Sequence, residues 1–206
     1  MIQFSQQKKE ITGIILAAGA GSRMKQTKQL LSYCGKPLLQ HVIDAATGSL
    51  LSKVILVLGH EAETIKKRIE LNDVETIQNQ HYQSGQSSSL KVGLSAVSKT
   101  CEAVIFLLGD QPLISSDIID LIIQRYIKTD SPLIVPKTNG IRGNPVLINR
   151  SLFKELEQLR GDTGGRELFK RHQEVIEYLD IEADAIVTDI DTPEDYQRLL
   201  KRQGVK

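Results

Sequence analysis

The run Ile14-Ile15-Leu16-Ala17-Ala18-Gly19-Ala20-Gly21-Ser22-Arg23-Met24 carries the reading on which the fold rests. Its first residues are apolar and suited to a buried strand. The residues after Leu16 are small and glycine-rich, and then cationic. A short apolar run that breaks into such a loop is how an α/β unit opens, with its strand inside and its loop at the sheet edge.

Working outward, three more apolar runs, Lys53 to Leu58, Ala103 to Leu108 and Leu133 to Val135, read as strands buried on both faces, the mark of a parallel sheet. Amphipathic segments lie between them. Pro37 to Ala46 places a proline at the first helical position, and Glu61 to Glu70 carries Ile65 and Ile69 four apart. Ser87 to Val97 and Ser116 to Tyr126 each open on a serine suited to capping. After Pro145 the rhythm predicts a strand at Val146 to Ile148, a helix at Leu152 to Leu159, and strands at Val175 to Leu179 and Ala185 to Ile190. The alternation predicts a three-layer α/β/α, Rossmann-like fold with a mainly parallel sheet and right-handed crossovers. With no linker or repeat, residues 1–206 read as one domain, residues 1–10 being the segment expected to be disordered.

The bulk numbers bound the function. A 206-residue chain with 40% hydrophobic and 25% charged residues is globular, and it is long enough to bury a core. Its formal net charge of +1 supplies no field for nucleic acid or an anionic membrane, so any polyanion must be held locally. Sparse aromatics, without tryptophan, argue against a base-stacking platform for single strands. The two cysteines, Cys34 and Cys101, have no metal-ligand spacing. No apolar run approaches the roughly 20 residues that span a bilayer, and the first ten residues lack a signal-peptide core. A cytoplasmic protein is expected.

Ligands of open α/β sheets bind beyond the carboxyl ends of the strands. Three polar segments fall there: Ala17 to Lys28, Gly109-Asp110-Gln111-Pro112, and Asp189 to Asp195. The first fails the Walker pattern because no Gly-Lys-Ser/Thr comes after Gly19 or Gly21. It also fails the dinucleotide pattern, because Met24 stands where the third glycine belongs. What remains is a loop whose small residues let backbone N–H groups approach an anion. Arg23 can grip phosphate with two parallel hydrogen bonds, and Lys28 adds a compact charge. Asp110, at the carboxyl end of a buried strand opposite that loop, is placed to ligate magnesium, which favours one or two carboxylates plus phosphate oxygens. Asp189 and Asp191 flank Ile190; on an extended strand they share a face and repel unless a cation lies between them. Thr192-Pro193-Glu194-Asp195 reads as a helix start with Thr192 as cap. Three serines, Ser87, Ser88 and Ser89, exceed what one cap needs, and their hydroxyls can reach a base, ribose or phosphate. None of His41, His60, His81 and His172 has a spacing that suggests a metal site or dyad, and His41 reads as structural.

Taken together, Leu16 to Met24, Lys28 to Leu31 and Gly35-Lys36-Pro37-Leu38-Leu39 resemble the signature of sugar-nucleotide-type nucleotidyltransferases. Gly85 to Leu90, Gly109 to Pro112, Arg142-Gly143-Asn144-Pro145, Gly161 to Arg166 and Asp189 to Asp195 continue the likeness. Within that group the chain is most similar to the molybdenum cofactor cytidylyltransferase branch of the MobA-like NTP transferase family. The resemblance implies that Arg23 and Lys28 hold a triphosphate while the backbone around Ala17 to Gly19 contacts the base, so that Leu16, Ala17, Ala18, Gly19, Gly21 and Ser22 form the nucleotide loop. It favours nucleotide contact by Ser87 and Ser88 and makes Asp191 the second magnesium ligand beside Asp110. Arg142, Asn144, Asp162 and Arg166 would then meet the acceptor. Ala18 resembles the cytidylyl branch, whereas Lys25 and Ser32 depart from the usual glycine and proline. The expected donor is CTP or another triphosphate, the acceptor a molybdopterin-type cofactor, the metal Mg2+, and a molybdoenzyme a further partner. Transfer to a sugar or polyol phosphate uses the same donor loop, and a non-catalytic molybdenum-cofactor maturation factor is the alternative outside enzymes.

Overall fold

The computed structural model describes residues 9–19, 21, 24, 26–161 and 165–202. In chain order its elements are β1 (Ile11–Ala17), β2 (Ser32–Tyr33), β3 (Lys36–Pro37), α1 (Leu38–Thr47), β4 (Lys53–Leu58), α2 (Ala62–Lys66), β5 (Val74–Gln78) and α3 (Gln86–Ser95). Next come β6 (Ala103–Leu108), α4 (Ser116–Thr129), β7 (Leu133–Thr138), β8 (Ile141–Arg142), β9 (Val146–Asn149), α5 (Phe153–Gln158), α6 (Arg166–Arg171), β10 (Ile176–Asp180) and α7 (Pro193–Arg202).

The main sheet runs β10-β7-β9-β6-β1-β4-β5, with β8 paired to β7. Neighbours β6, β1, β4 and β5 are parallel, as are β7 and β10. The antiparallel β9 is inserted between β6 and β7. Alternate residues of the central strands feed opposite cores, as the pleat requires. Ile11 and Ile15 of β1, Leu56 of β4 and Ile105 of β6 pack on the α1 and α4 side. Ile14, Ile55, Val57, Val104 and Phe106 pack on the α3 and α5 side. Burial on both faces is why these strands are continuous apolar runs in the sequence. Helix α4 turns Ile118, Ile119, Ile122, Ile123 and Tyr126 into the first core, a stripe at helical spacing. The three-layer α/β architecture expected from the sequence is the one observed.

Several local expectations are corrected. Ser115, not Ser116, caps α4, its side chain accepting from the Ile118 N–H. Helix α3 starts at Gln86 behind Gly85 (φ 94°), so Ser87 is buried in its first turn rather than capping it. Pro37 precedes α1 in extended conformation, and α2 is shorter than the Glu61 to Glu70 pattern. Strand β5, half exposed at the sheet edge, has no long apolar run to announce it. Residues Asp184–Val187 form a 3-10 turn instead of the expected last strand; the turn is what buries Ile186 in the core. His41 is structural, as expected, its Nε2 lying 2.8 Å from the Tyr33 carbonyl.

Candidate active site

Strand β1 delivers Leu16 and Ala17 to the carboxyl edge of the sheet, and the chain continues through Ala18 and Gly19. Each of these four carbonyls is held. That of Leu16 accepts from the Gly109 N–H at 3.0 Å and that of Ala18 from the His60 N–H at 3.1 Å. Those of Ala17 and Gly19 both accept from the side-chain amide of Gln29, at 3.2 and 3.1 Å. Gly21 adopts a φ of 56°, a left-handed conformation that strains any residue with a β-carbon. Ser22, Arg23 and Asp162 lie outside the described residues, as does the side chain of Arg166, so the roles expected of them rest on the sequence alone.

Among the three acids and the lysine, the structure brings together what the sequence separates most widely. Lys28 Nζ donates to Asp110 Oδ2 at 2.6 Å and to Asp191 Oδ1 at 2.8 Å. Their carboxylates therefore converge on one ammonium, as they would on one cation. Burial alone would lower the Lys28 pKa, but attraction and hydrogen bonding from Asp110, then Asp191, outweigh it and hold it above its usual value. Lys28, expected on phosphate, is thus also the link between the acids. Two backbone features fix the geometry. The Ile190 N–H donates to the Asp110 carbonyl at 3.0 Å, tying the two acidic loops together. At the α7 start, Asp195 Oδ2 accepts from the Asp191 and Thr192 N–H groups, while Thr192 Oγ1 accepts from the Asp195 N–H at 3.2 Å, the reciprocal cap expected there.

The donor set fits a hard divalent cation. Asp110 Oδ1 is buried and without a hydrogen-bond partner among the described residues, which is costly unless something positive meets it. Among the described residues no group of three or more His, Cys, Asp or Glu side chains is arranged to hold a metal. An ion here would draw its remaining oxygens from phosphate and water, which suits magnesium or manganese better than a protein-caged metal.

Asp189 corrects the expectation that the two late acids share a strand face. They stand on a loop, and Asp189 Oδ1 accepts instead from Gln111 Nε2 at 2.7 Å. Burial, followed by the charge of Asp110, raises its pKa above the usual carboxylate value. Because the folded pKa is the higher one, ionised Asp189 disfavours the folded state. The penalty is absent below the unfolded pKa of about 3.9 and grows as pH rises through the folded value. Asp189→Asn keeps an oxygen facing Gln111 and removes that charge. Its melting temperature in metal-free buffer is expected to exceed wild type at pH 7, with the difference shrinking towards pH 4; a lower value at pH 7 contradicts this assignment.

Two cavities meet at these groups. The smaller, about 240 Å³, is lined by Leu16 to Gly19, Lys28, Gln29, Tyr82, Gln86, Ser89 and Asp110, among others. The larger, about 660 Å³, has an apolar floor that includes Leu90, Phe106, Val146 and Ile148, and a polar rim of Arg142, Asn144, Lys170, Asp189 and Asp191. Both share Leu16, Gln86 and Leu108. Arg142 and Asn144 thus stand in the second cavity, and the Arg142 guanidinium lies 5.2 Å from the Tyr178 ring centroid.

The serines are redistributed. Ser87 is 3% exposed, and the Ser88 hydroxyl donates to the Gly85 and His81 carbonyls while accepting from Asn79. Ser89 and Gln86 line the cavity in place of Ser87 and Ser88. Sequence reasoning also passed over three buried amides. Gln29 holds the first loop, Asn79 holds Ser88 and Ser89 at 2.8 and 3.0 Å, and Gln111 holds Asp189. The one signal for Gln29 was its place directly after Lys28.

This sheet, with its glycine-rich loop after the central strand and two cavities at the carboxyl edge, is the nucleotidyltransferase fold. Residues 13–175 match the MobA-like NTP transferase domain, and the chain belongs to that family. It is similar to nicotine blue oxidoreductase of Paenarthrobacter nicotinovorans, 28% identical over 202 residues that cover 92% of this chain and 96% of that one. It also resembles the crystal structure of Rv0371c from Mycobacterium tuberculosis H37Rv, with a TM-score of 0.85, 29% identity and coverage of 94% of this chain and 99% of that one. The structure of Rv0371c in complex with manganese gives a TM-score of 0.82 at 28% identity over the same shares. Molybdopterin-guanine dinucleotide biosynthesis protein A from Archaeoglobus fulgidus matches in fold alone, with a TM-score of 0.70 at 18% identity over 95% of this chain and 100% of that one.

Proposed function

We propose that the protein transfers CMP from CTP to the terminal phosphate of a molybdopterin-type acceptor, releasing pyrophosphate. The observation that carries this reading is the junction itself: Lys28 ties Asp110, which lines the smaller cavity, to Asp191, which lines the larger. A donor in the first and an acceptor in the second would meet over a pair of acids. An acceptor phosphate oxygen bonds to the α-phosphorus as the bond from that phosphorus to the bridging oxygen of pyrophosphate breaks. Such chemistry depends on alignment and charge neutralisation more than on a protein nucleophile.

Within that scheme Asp110 and Asp191 would hold Mg2+, which supplies charge stabilisation at the α-phosphate. The carbonyls of Leu16 to Gly19 are turned to protein partners, so the loop offers its N–H edge to the nucleotide. Lys28 supplies positive charge to the departing pyrophosphate, and Arg23, by the family resemblance, grips the triphosphate. Arg142 and Asn144, on the rim of the larger cavity, orient the acceptor phosphate. Support for the metal comes from the manganese complex of Rv0371c and from the unpartnered Asp110 Oδ1. Support for the acceptor comes from the sequence motifs that carry the family resemblance.

The test is pyrophosphate release with magnesium, each of the four triphosphates in turn, and either molybdopterin-type, sugar-phosphate or polyol-phosphate acceptors. Release confined to CTP with the pterin is the expected result. Release only with a sugar or polyol phosphate moves the acceptor assignment, and stoichiometric binding without release supports a maturation factor. One observation favours a second reading: a relative named as an oxidoreductase aligns over 92% of the chain. Consumption of a reduced nicotinamide nucleotide by the same preparation, without pyrophosphate release, would establish it.

A further inference from the structure

We infer that Gln29 is a positioning residue for nucleotide binding: its side-chain amide sets the shape of the loop that receives the triphosphate. This deepens the nucleotidyltransferase reading and rests on it.

Gln29 is polar yet only 4% exposed, and it borders the smaller cavity. Its Nε2 donates to two carbonyls, Ala17 O at 3.2 Å and Gly19 O at 3.1 Å, which stand two residues apart on one loop. Between them the Ala18 carbonyl is taken by the His60 N–H at 3.1 Å. In a trans peptide the carbonyl and the next residue's N–H point in opposite directions. Fixing the Ala17 carbonyl on Gln29 therefore turns the Ala18 N–H away from Gln29, and fixing the Ala18 carbonyl on His60 turns the Gly19 N–H away from His60. An anion cradle made of main-chain N–H groups works only if the carbonyls are turned away, since one carbonyl facing the phosphates would repel them. A glycine-rich loop has little of its own to impose that orientation. The two hydrogen bonds from Gln29 impose it from outside.

The placement also couples the loop to the acids. Gln29 lies in the 3-10 turn Lys28–Leu30, closed by the Leu30 N–H to the Thr27 carbonyl at 2.9 Å. Within this single turn Lys28 points to Asp110 and Asp191 while Gln29 points to the loop. Nucleotide loop and acid pair are registered against each other through two adjacent residues.

The experiment compares wild type with Gln29→Met, of similar length but without a donor, and Gln29→Glu, of the same shape but accepting only. Dissociation constants for the four triphosphates with magnesium are measured by calorimetry, together with melting temperature. Both variants are expected to bind the preferred triphosphate about 10-fold more weakly, the scale for losing two buried hydrogen bonds that order a binding loop. KM for the acceptor stays within about 3-fold, because Gln29 does not line the larger cavity. A fall in melting temperature with unchanged nucleotide affinity makes Gln29 purely structural and overturns the proposal. Should neither variant fold, the wild type decides: the Gln29 side-chain amide protons must exchange slowly and shift when nucleotide is added, and exchange at the rate of a free side chain overturns it. If wild type binds no triphosphate, it is the functional reading that fails, and the result is distinct from either outcome for Gln29.

Discussion

Asp110→Ala is expected to lower turnover by about 10²- to 10³-fold, the loss of roughly 3–4 kcal/mol of transition-state stabilisation caused by removing one well-placed electrostatic contact. The reason is the position of both oxygens. Oδ2 meets Lys28 at 2.6 Å, and Oδ1 is buried without a hydrogen-bond partner among the described residues. The substitution removes the one carboxylate that, among the described residues, lines the smaller cavity, and it leaves the Lys28 ammonium to Asp191. Some stability is lost as well, roughly 1–3 kcal/mol for a partly buried charged hydrogen bond. A chain of this length then melts a few degrees lower, at about 2–4 °C per kcal/mol. Asp110→Asn separates the two effects, since it keeps the shape and removes the charge. It should recover much of the melting temperature and little of the turnover. Pyrophosphate release by Asp110→Asn at a rate near wild type, with magnesium saturating, would remove Asp110 from the chemistry.

Gly143→Ala is expected to be the most destabilising single-methyl change near the site. An added β-carbon would lie 2.4 Å from the Ile186 carbonyl oxygen and 2.8 Å from its carbonyl carbon, so backbone rather than a pliant side chain must yield. Neither side can withdraw easily. The Gly143 N–H donates to the Pro136 carbonyl at 2.8 Å, the Asn144 N–H to the Ile186 carbonyl at 2.9 Å, and Ile186 is itself fully buried. Overpacking of this kind costs roughly 3 kcal/mol, or about 6–12 °C in melting temperature. The displaced segment continues into Asp189 and Asp191, so activity should fall further than stability alone accounts for. Gly19→Ala is the control for fold, because a methyl there meets nothing within 4 Å. Calorimetric melting curves for the two variants would decide; equal melting temperatures contradict the predicted clash.

The fold was legible wherever burial on two faces forced a continuous apolar run, as in β1, β4 and β6, because such runs leave little choice of structure. It was illegible at β5, whose half-exposed residues carry no periodic signal, and at Ala185 to Ile190, where an apolar stretch serves a turn packed on the core. In the site, Lys28 and Asp110 stood out as charged residues beside small-residue loops at strand ends, whereas Asp191 was preferred to Asp189 only through the family resemblance. Ser87 and Ser88 were over-read. In a row of three serines, only the helical phase of α3 decides which hydroxyl meets the cavity, and that phase depends on Gly85. The roles of Gln29, Asn79 and Gln111 were not legible for a different reason. An amide that holds a loop works through where its partners lie in space, and its partners are main-chain carbonyls, serines or an acid with no fixed sequence spacing.

The bridge from Lys28 to Asp191 crosses 163 positions of sequence, and Asp191 is held in place by residues near it and beyond it: Asp195 binds its N–H, and Leu199 packs with Ile190 and Leu38. Asp191 therefore takes its place only when α7 is docked, and a helix that lines neither cavity completes the acid pair.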